Sequence, residues 1–169
     1  MGIKADDVRK VGVIGAGAMG AGIAQAVASA DREAVLLDIF DSALGRAVTT
    51  IEKSLARFVK KGEMEKEKSE SILSAIHATT HFDDIADVDL AIEAVFEDLN
   101  MKKEVFRKLD KSTRPDVILA TNTSSLPIVE IALCTERPDK VAGMHFFNPV
   151  PVMKLVEIVK SMATSDETV

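Results

Sequence analysis

Gly15, Gly17 and Gly20 follow directly on the apolar run VGVI and open a helical pattern. Few short spacings restrict a fold as much as this one. The first glycine permits a tight turn out of a strand. The second lets the backbone approach a pyrophosphate, and the third lets helix and strand pack closely. Ala16, Ala18 and Met19 complete the turn, and the helix start offers an anion unpaired N–H groups and a favourable dipole. Asp38 ends the next apolar run, at the spacing expected for the acid that binds ribose hydroxyls. Strand, glycine turn, helix and acid in this order predict a dinucleotide site. A carboxylate accepts from both ribose hydroxyls of NAD but repels the extra phosphate of NADP. The neighbours Ile39 and Phe40 offer no Arg to receive that phosphate, so NAD is the expected cofactor. Asp38 could instead cap the following helix, but Asp41 is better placed for that task.

Downstream, short apolar runs alternate with amphipathic stretches, which reads as β-α-β units. The expected fold class is α/β, a Rossmann-type doubly wound and mainly parallel sheet over residues 1–169. Strands are predicted at 11–14, 35–39, 76–79, 90–95, 117–121 and 141–145, with a last one at 155–159. Helices are predicted at 19–30, 41–60, 64–76, 101–109 and 128–133. The 41–60 helix places Leu44, Val48, Ile51, Leu55 and Phe58 on one face, and Gly62 breaks it. The helical excursion after the second strand is longer than a crossover needs. It reads either as a functional insertion or as a solvated hairpin. Pro149 and Pro151 end regular structure after the sixth strand.

Composition narrows the function classes. A chain of 169 residues suits one domain with a real core, and 47% hydrophobic with 28% charged residues is a globular balance. The net charge of -6, with no dense Lys/Arg cluster, argues against a nucleic-acid surface. No apolar run reaches membrane-span length, and MGIKADDVRK lacks the core of a secretory signal. The chain begins Met-Gly, but Asp6 occupies the place where myristoylation needs Ser or Thr. The expectation is a cytoplasmic protein, or a mitochondrial-matrix one if a transit peptide has been removed. Cys134 stands alone, so no intrachain disulfide forms, and it is expected to be buried and inert. No metal site is expected.

His145 ends an apolar strand, and ligands in open α/β sheets bind at the carboxyl ends of strands. A satisfied structural histidine is the other reading. Phe146, Phe147 and Pro149 give the imidazole an apolar surround. Glu157, on the expected returning strand, could orient the ring and stabilise its charged form. His77 and His81 lack such a setting and read as surface residues.

Four segments, VGVIGAGAMGAGIAQ, DLAIEAVFEDLNMKKEVF, ATNTSSLPI and GMHFFNPVPVMKLVE, resemble the NAD-binding domain of the L-3-hydroxyacyl-CoA dehydrogenases, including the bacterial 3-hydroxybutyryl-CoA dehydrogenases. The resemblance implies NAD-dependent oxidation of a 3-hydroxyacyl-CoA to the 3-ketoacyl-CoA, as in fatty-acid β-oxidation or short-chain hydroxybutyryl-CoA metabolism. It implies His145 as catalytic base with Glu157 as partner, and Ser124 and Asn148 as polar contacts to substrate and nicotinamide. It further implies Glu97, Lys102 and Asn122 around the cofactor, with Ser54 and Lys61 touching coenzyme A. Lys61 also reads as one more solvated charge. Family members continue into a helical C-terminal domain that covers the acyl group and makes most of a homodimer contact. This chain stops at Val169, so a separated, poorly active domain is expected, with SMATSDETV as a linker or the cap of a next helix. Two other readings share parts of this pattern. The 6-phosphogluconate or 3-hydroxyisobutyrate dehydrogenase class uses a catalytic Lys, and the absence of Lys around ATNTSSLPI and the presence of HFFNP disfavour it. A non-catalytic NAD-binding relative would keep the scaffold alone.

Overall fold

The computed structural model describes residues 5–169; Met1 and Gly2, read above for acylation, lie outside them. The strands and helices follow as β1 (Lys10–Ile14), α1 (Ala18–Ser29), β2 (Glu33–Leu37), α2 (Asp41–Lys60), α3 (Lys66–Ser74), β3 (Ile76–Thr79), β4 (Leu90–Glu93), α4 (Leu99–Ser112), β5 (Ile118–Thr121), α5 (Ile128–Ala132), β6 (Val141–Phe146) and β7 (Val156–Val159). They build one sheet in the order β3-β2-β1-β4-β5-β6-β7. Neighbours from β3 to β6 run parallel, and β7 alone returns antiparallel to β6. The expected α/β Rossmann-type architecture is therefore present.

Helices cover both faces, so the central strands are apolar on both sides. Along β2, Ala34 and Leu36 join one core with Ile23, Ile51, Leu55 and Ile72 under α1, α2 and α3. Val35 and Leu37 join the opposite core with Phe106, Leu109 and Ile131 under α4 and α5, the two-residue period of a pleated strand. α2 buries Leu44, Ala47, Ile51 and Leu55. Val48 and Phe58, expected on that face, are only half-buried.

Several boundaries differ from expectation because a carboxylate intervenes. β2 covers 33–37 rather than 35–39, since Asp38 turns the chain by accepting from Ala16 N and Phe40 N. β4 stops at Glu93 rather than 95, where the Glu93 carboxylate takes the Val95 N–H at 2.7 Å. α4 starts at Leu99 rather than 101, because Asp98 caps it by accepting from Met101 N at 2.8 Å. α3 is shorter than expected and leaves Ile76 to β3. Asp41 does not cap α2. Phe40 occupies the cap position, and no side chain caps the first turn of the helix. Gly62 does end the α2 region, at φ +70°.

The tail is not an extended linker. Thr164 is buried and donates to Val141 O at 2.6 Å, while Ser165 N donates to Asp139 O at 3.0 Å. Cys134 is half-buried rather than fully buried. That burial pushes its thiol up, which fits an inert group. His77 and His81 are both exposed, with His77 Nε2 3.5 Å from Asp84. Among the described residues no helix is long and apolar enough to cross a membrane.

Asp89 clips the N-terminal ends of β1 and β4 together. It accepts from Arg9 N at 2.8 Å, Lys10 N at 3.0 Å and the Arg114 guanidinium at 3.0 Å. Partial burial alone would raise this carboxyl. The two backbone N–H groups and Arg114 outweigh it and hold the acid below its ordinary value. A depressed folded value means stability present above the unfolded carboxylate pKa and lost as pH falls through the folded one. Asp89→Asn is expected to cost about 1 kcal/mol at pH 7, a fall in Tm of about 2–4 °C. The gap from the parent should close as pH drops below about 4. Thermal melts of both proteins across pH check this.

Candidate functional site

The carboxyl ends of β1, β2, β4, β5 and β6 share one rim of the sheet. Strand order reverses between β1 and β4, the position where open α/β sheets bind ligands. At that crevice Gly15 has φ +105°, and its N–H donates to Leu37 O at 2.8 Å. A Cβ at Gly15 would lie 2.7 Å from Ala94 O, so β1, β2 and β4 pinch this turn together. A Cβ at Gly20 would lie 1.7 Å from Gly15 O, which brings α1 down onto the turn. Gly17 differs from both: a Cβ there would meet no protein atom within 4 Å. Nothing within the chain therefore demands glycine at 17, and the backbone there is open to the approach of an outside group. Gly17 also precedes α1 with no side-chain cap, which leaves first-turn N–H groups available to an anion. Ala16 is buried, Ala18 exposed and Met19 half-buried around this turn.

Asp38 reaches over from the end of β2. One oxygen accepts from Ala16 N at 2.8 Å and the other from Phe40 N at 3.0 Å. Each oxygen keeps a further lone-pair direction for a ribose hydroxyl. The carboxylate therefore holds the glycine turn and the residue before α2 at once, without capping that helix. Ile39 and Phe40 beside it are exposed and apolar. These residues fit NAD: an open backbone cradle, free helix N–H groups and a fixed acid.

The β4–β5 side of the rim carries a buried polar network. Glu93 has no exposed surface. It accepts from Lys102 Nζ and Val95 N through Oε1 and from Thr121 Oγ1 through Oε2, each at 2.7 Å. Lys102 is equally buried and sits 3.3 Å from the second carboxylate, Glu97. Glu97 in turn accepts from the Thr123 hydroxyl and from Ser124 N. Partial burial would raise the Glu97 acid, but Thr123, Lys102 and the Ser124 N–H outweigh it and hold it below the usual range. Of the three residues expected around a cofactor, Glu97 and Lys102 are thus joined. Asn122 faces β6, accepting from Phe146 N at 2.8 Å. Sequence reasoning passed over Glu93, Thr121 and Thr123. A lone charge inside the strand-like LAIEAV, with Lys102 following, was the available signal.

β6 and β7 bring the expected histidine and glutamate together. His145 and Glu157 are direct cross-strand partners in the antiparallel ladder. His145 Nδ1 lies 3.0 Å from Glu157 Oε2, and Nε2 has no partner among the described residues. The Phe147 ring packs on the imidazole at 4.6 Å. The turn that follows carries exposed Asn148 and a cis Asn148–Pro149 peptide. Ser124 is also exposed on this rim. Ser54 and Lys61 lie apart from it on α2 and its end. Ser54 is half-buried, and Lys61 is exposed, 3.9 Å from Glu63. Their spacing of two helical turns puts both on one face.

The three glycines should separate by experiment. Gly20→Ala is expected to destabilise the fold by more than about 2 kcal/mol, because its Cβ meets backbone. Gly17→Ala should cost less than about 1 kcal/mol yet weaken dinucleotide binding by roughly tenfold or more. Denaturant melts and NADH titration on the two variants read both quantities.

Comparison with known proteins bears on the family and the fold. The family model described as "3-hydroxyacyl-CoA dehydrogenase, NAD binding domain" matches residues 10–169. The chain is 49% identical to a 3-hydroxybutyryl-CoA dehydrogenase of Clostridioides difficile, over 94% of this chain and 57% of that protein. It is 44% identical to the mitochondrial hydroxyacyl-coenzyme A dehydrogenase of Rattus norvegicus, over 95% of this chain and 53% of that protein. The crystal structure of an (S)-3-hydroxybutyryl-CoA dehydrogenase from Ralstonia eutropha superposes with a TM-score of 0.93 at 43% identity, covering 95% of this chain and 57% of that one. The chain spans about half the length of the curated relatives it matches. On sequence and fold together, the chain belongs to the family of NAD-binding domains of the 3-hydroxyacyl-CoA dehydrogenases.

Proposed function

We propose that the protein carrying this domain oxidises the C3 hydroxyl of a 3-hydroxyacyl-CoA to a ketone, with NAD as cofactor and His145 as general base. The observation that carries this reading is the His145–Glu157 pair on the same rim as the glycine turn. Bound at the β1–β4 crevice, NAD supplies the acceptor for the hydrogen that leaves C3 with its electron pair. The hydroxyl proton passes to His145 Nε2, and the oxygen keeps the electron pair that becomes the second C–O bond. Glu157 accepts from Nδ1–H, which leaves Nε2 as the free base and stabilises the imidazolium that forms. Ser124 and Asn148, both exposed beside this pair, donate to the substrate oxygen and the nicotinamide amide. Asn122 acts by anchoring Phe146, next to the base. Asp38 holds the adenine ribose and favours NAD over NADP.

Lys102 is unsuited to be the base, because its ammonium is buried between two carboxylates. That observation speaks against the lysine-dependent dehydrogenase class. Ser54 and Lys61 are assigned to the coenzyme A moiety, Lys61 pairing with phosphate. The exposed apolar strand β7, with Val156, Ile158 and Val159, together with Leu155 and Met162, suits cover by a helical C-terminal domain. Dimer formation and closure over the acyl chain are assigned to that domain, and a cytoplasmic or matrix location to the whole protein.

The test uses the whole protein and follows NADH formation from 3-hydroxybutyryl-CoA. His145→Gln should lower kcat by about 10²–10⁴-fold with NADH affinity unchanged. Glu157→Gln should also lower kcat, and the double variant should be hardly worse than His145→Gln alone. Fully multiplicative losses would dissolve the pair, and an unaffected His145→Gln would remove the proposed base.

A further inference from the structure

We infer that Glu93 is a positioning residue for the nicotinamide side of the site, acting through Lys102 and Glu97 on the backbone at Ser124. The inference rests on reading this rim as an NAD site. Glu93 touches no solvent, and it stands at the end of a central parallel strand whose other residues are apolar. The fold does not require a charge there, since a buried ion pair is often replaceable by packed apolar groups at no loss of stability. Yet its carboxylate is tied to three elements at once. Val95 N belongs to the loop after β4, Lys102 to α4 and Thr121 to the end of β5.

The consequence lies in how Lys102 is shared. Its ammonium sits 2.7 Å from Glu93 and 3.3 Å from Glu97, so Glu93 takes the closer contact. Glu97 is left extended toward the rim, where it receives the Thr123 hydroxyl and the Ser124 N–H. Without the Glu93 charge, Lys102 would pair with Glu97 alone and draw that carboxylate inward. Ser124 would lose the acceptor that fixes its backbone. The adenine ribose is assigned to the other side of β1, at Asp38 just after β2. The effect should therefore fall on the nicotinamide half of the dinucleotide and spare the ADP-ribose half.

The test measures NADH and ADP-ribose affinity on the 169-residue chain by calorimetry. Glu93→Gln keeps the size and an acceptor for Thr121 but removes the charge. It is expected to weaken NADH by about tenfold or more and to leave ADP-ribose within about twofold. Thr121→Val, which removes one bond holding Glu93, should show the same selectivity at smaller size. Equal losses for both ligands, or no loss for either, would overturn the assignment and leave Glu93 a structural residue. If Glu93→Gln binds neither ligand because it fails to fold, Thr121→Val decides: NADH-selective loss supports the inference, and its absence overturns it. A parent chain that binds neither ligand would instead sink the cofactor reading, and this inference with it.

Discussion

Val13 pairs with Leu36 on one side and Ile92 on the other, all three strands running parallel. That double register fixes where everything else can be. It delivers the ends of β1, β2 and β4 to one edge, and there the chain must turn so tightly that Gly15 adopts a positive φ against Ala94. Because β4 returns beside β1 rather than beside β3, the connecting segments diverge and a crevice opens between them. The parallel ladder continues through β5 and β6, so Ser124 and His145 arrive at the same edge without any specific contact to the glycine turn. Reversal into β7 then adds Glu157 by ladder register alone.

Four carboxylates share that edge, and each is bound to the chain by geometry already in place. Asp38 holds backbone N–H groups on two turns. Glu93 is enclosed, Glu97 is shared between Lys102 and the Ser124 backbone, and Glu157 faces the imidazole. Groups fixed before binding need little reorganisation when a charged or polar ligand arrives. The polar groups are divided by position: Asp38 follows β2, and the others lie on or beside β4 to β7. On the proposed reading, one sheet would serve two halves of a dinucleotide with separate sets of side chains.

What the sequence shows and what it hides follow from the range of the interactions. The glycine turn, Asp38 and the apolar strands are written in local spacing, and each was legible. The helical excursion was legible in its amphipathic pattern. His145 and Glu157 became legible as a pair once residues 155–159 were read as a returning strand, because antiparallel register is a local rule. The role of Glu93 was not, since its partner Thr121 lies 28 residues away and only folding joins them. The same reason explains the tail. Thr164 looks like a linker residue until its hydroxyl finds the Val141 carbonyl, 23 residues back. Asp38 misled in a different way, because a side chain expected to wait for a ligand also ends its own strand.

At the centre stands a single claim: the strand register prepares His145 as a base before any substrate is present. Nitrogen NMR of the imidazole in the 169-residue chain tests this most directly, at a pH where the ring is neutral. The expected spectrum shows the tautomer protonated at Nδ1, with Nε2 bare, and the preference should weaken in Glu157→Gln. A ring protonated at Nε2, or a tautomer ratio indifferent to Glu157, would contradict the claim.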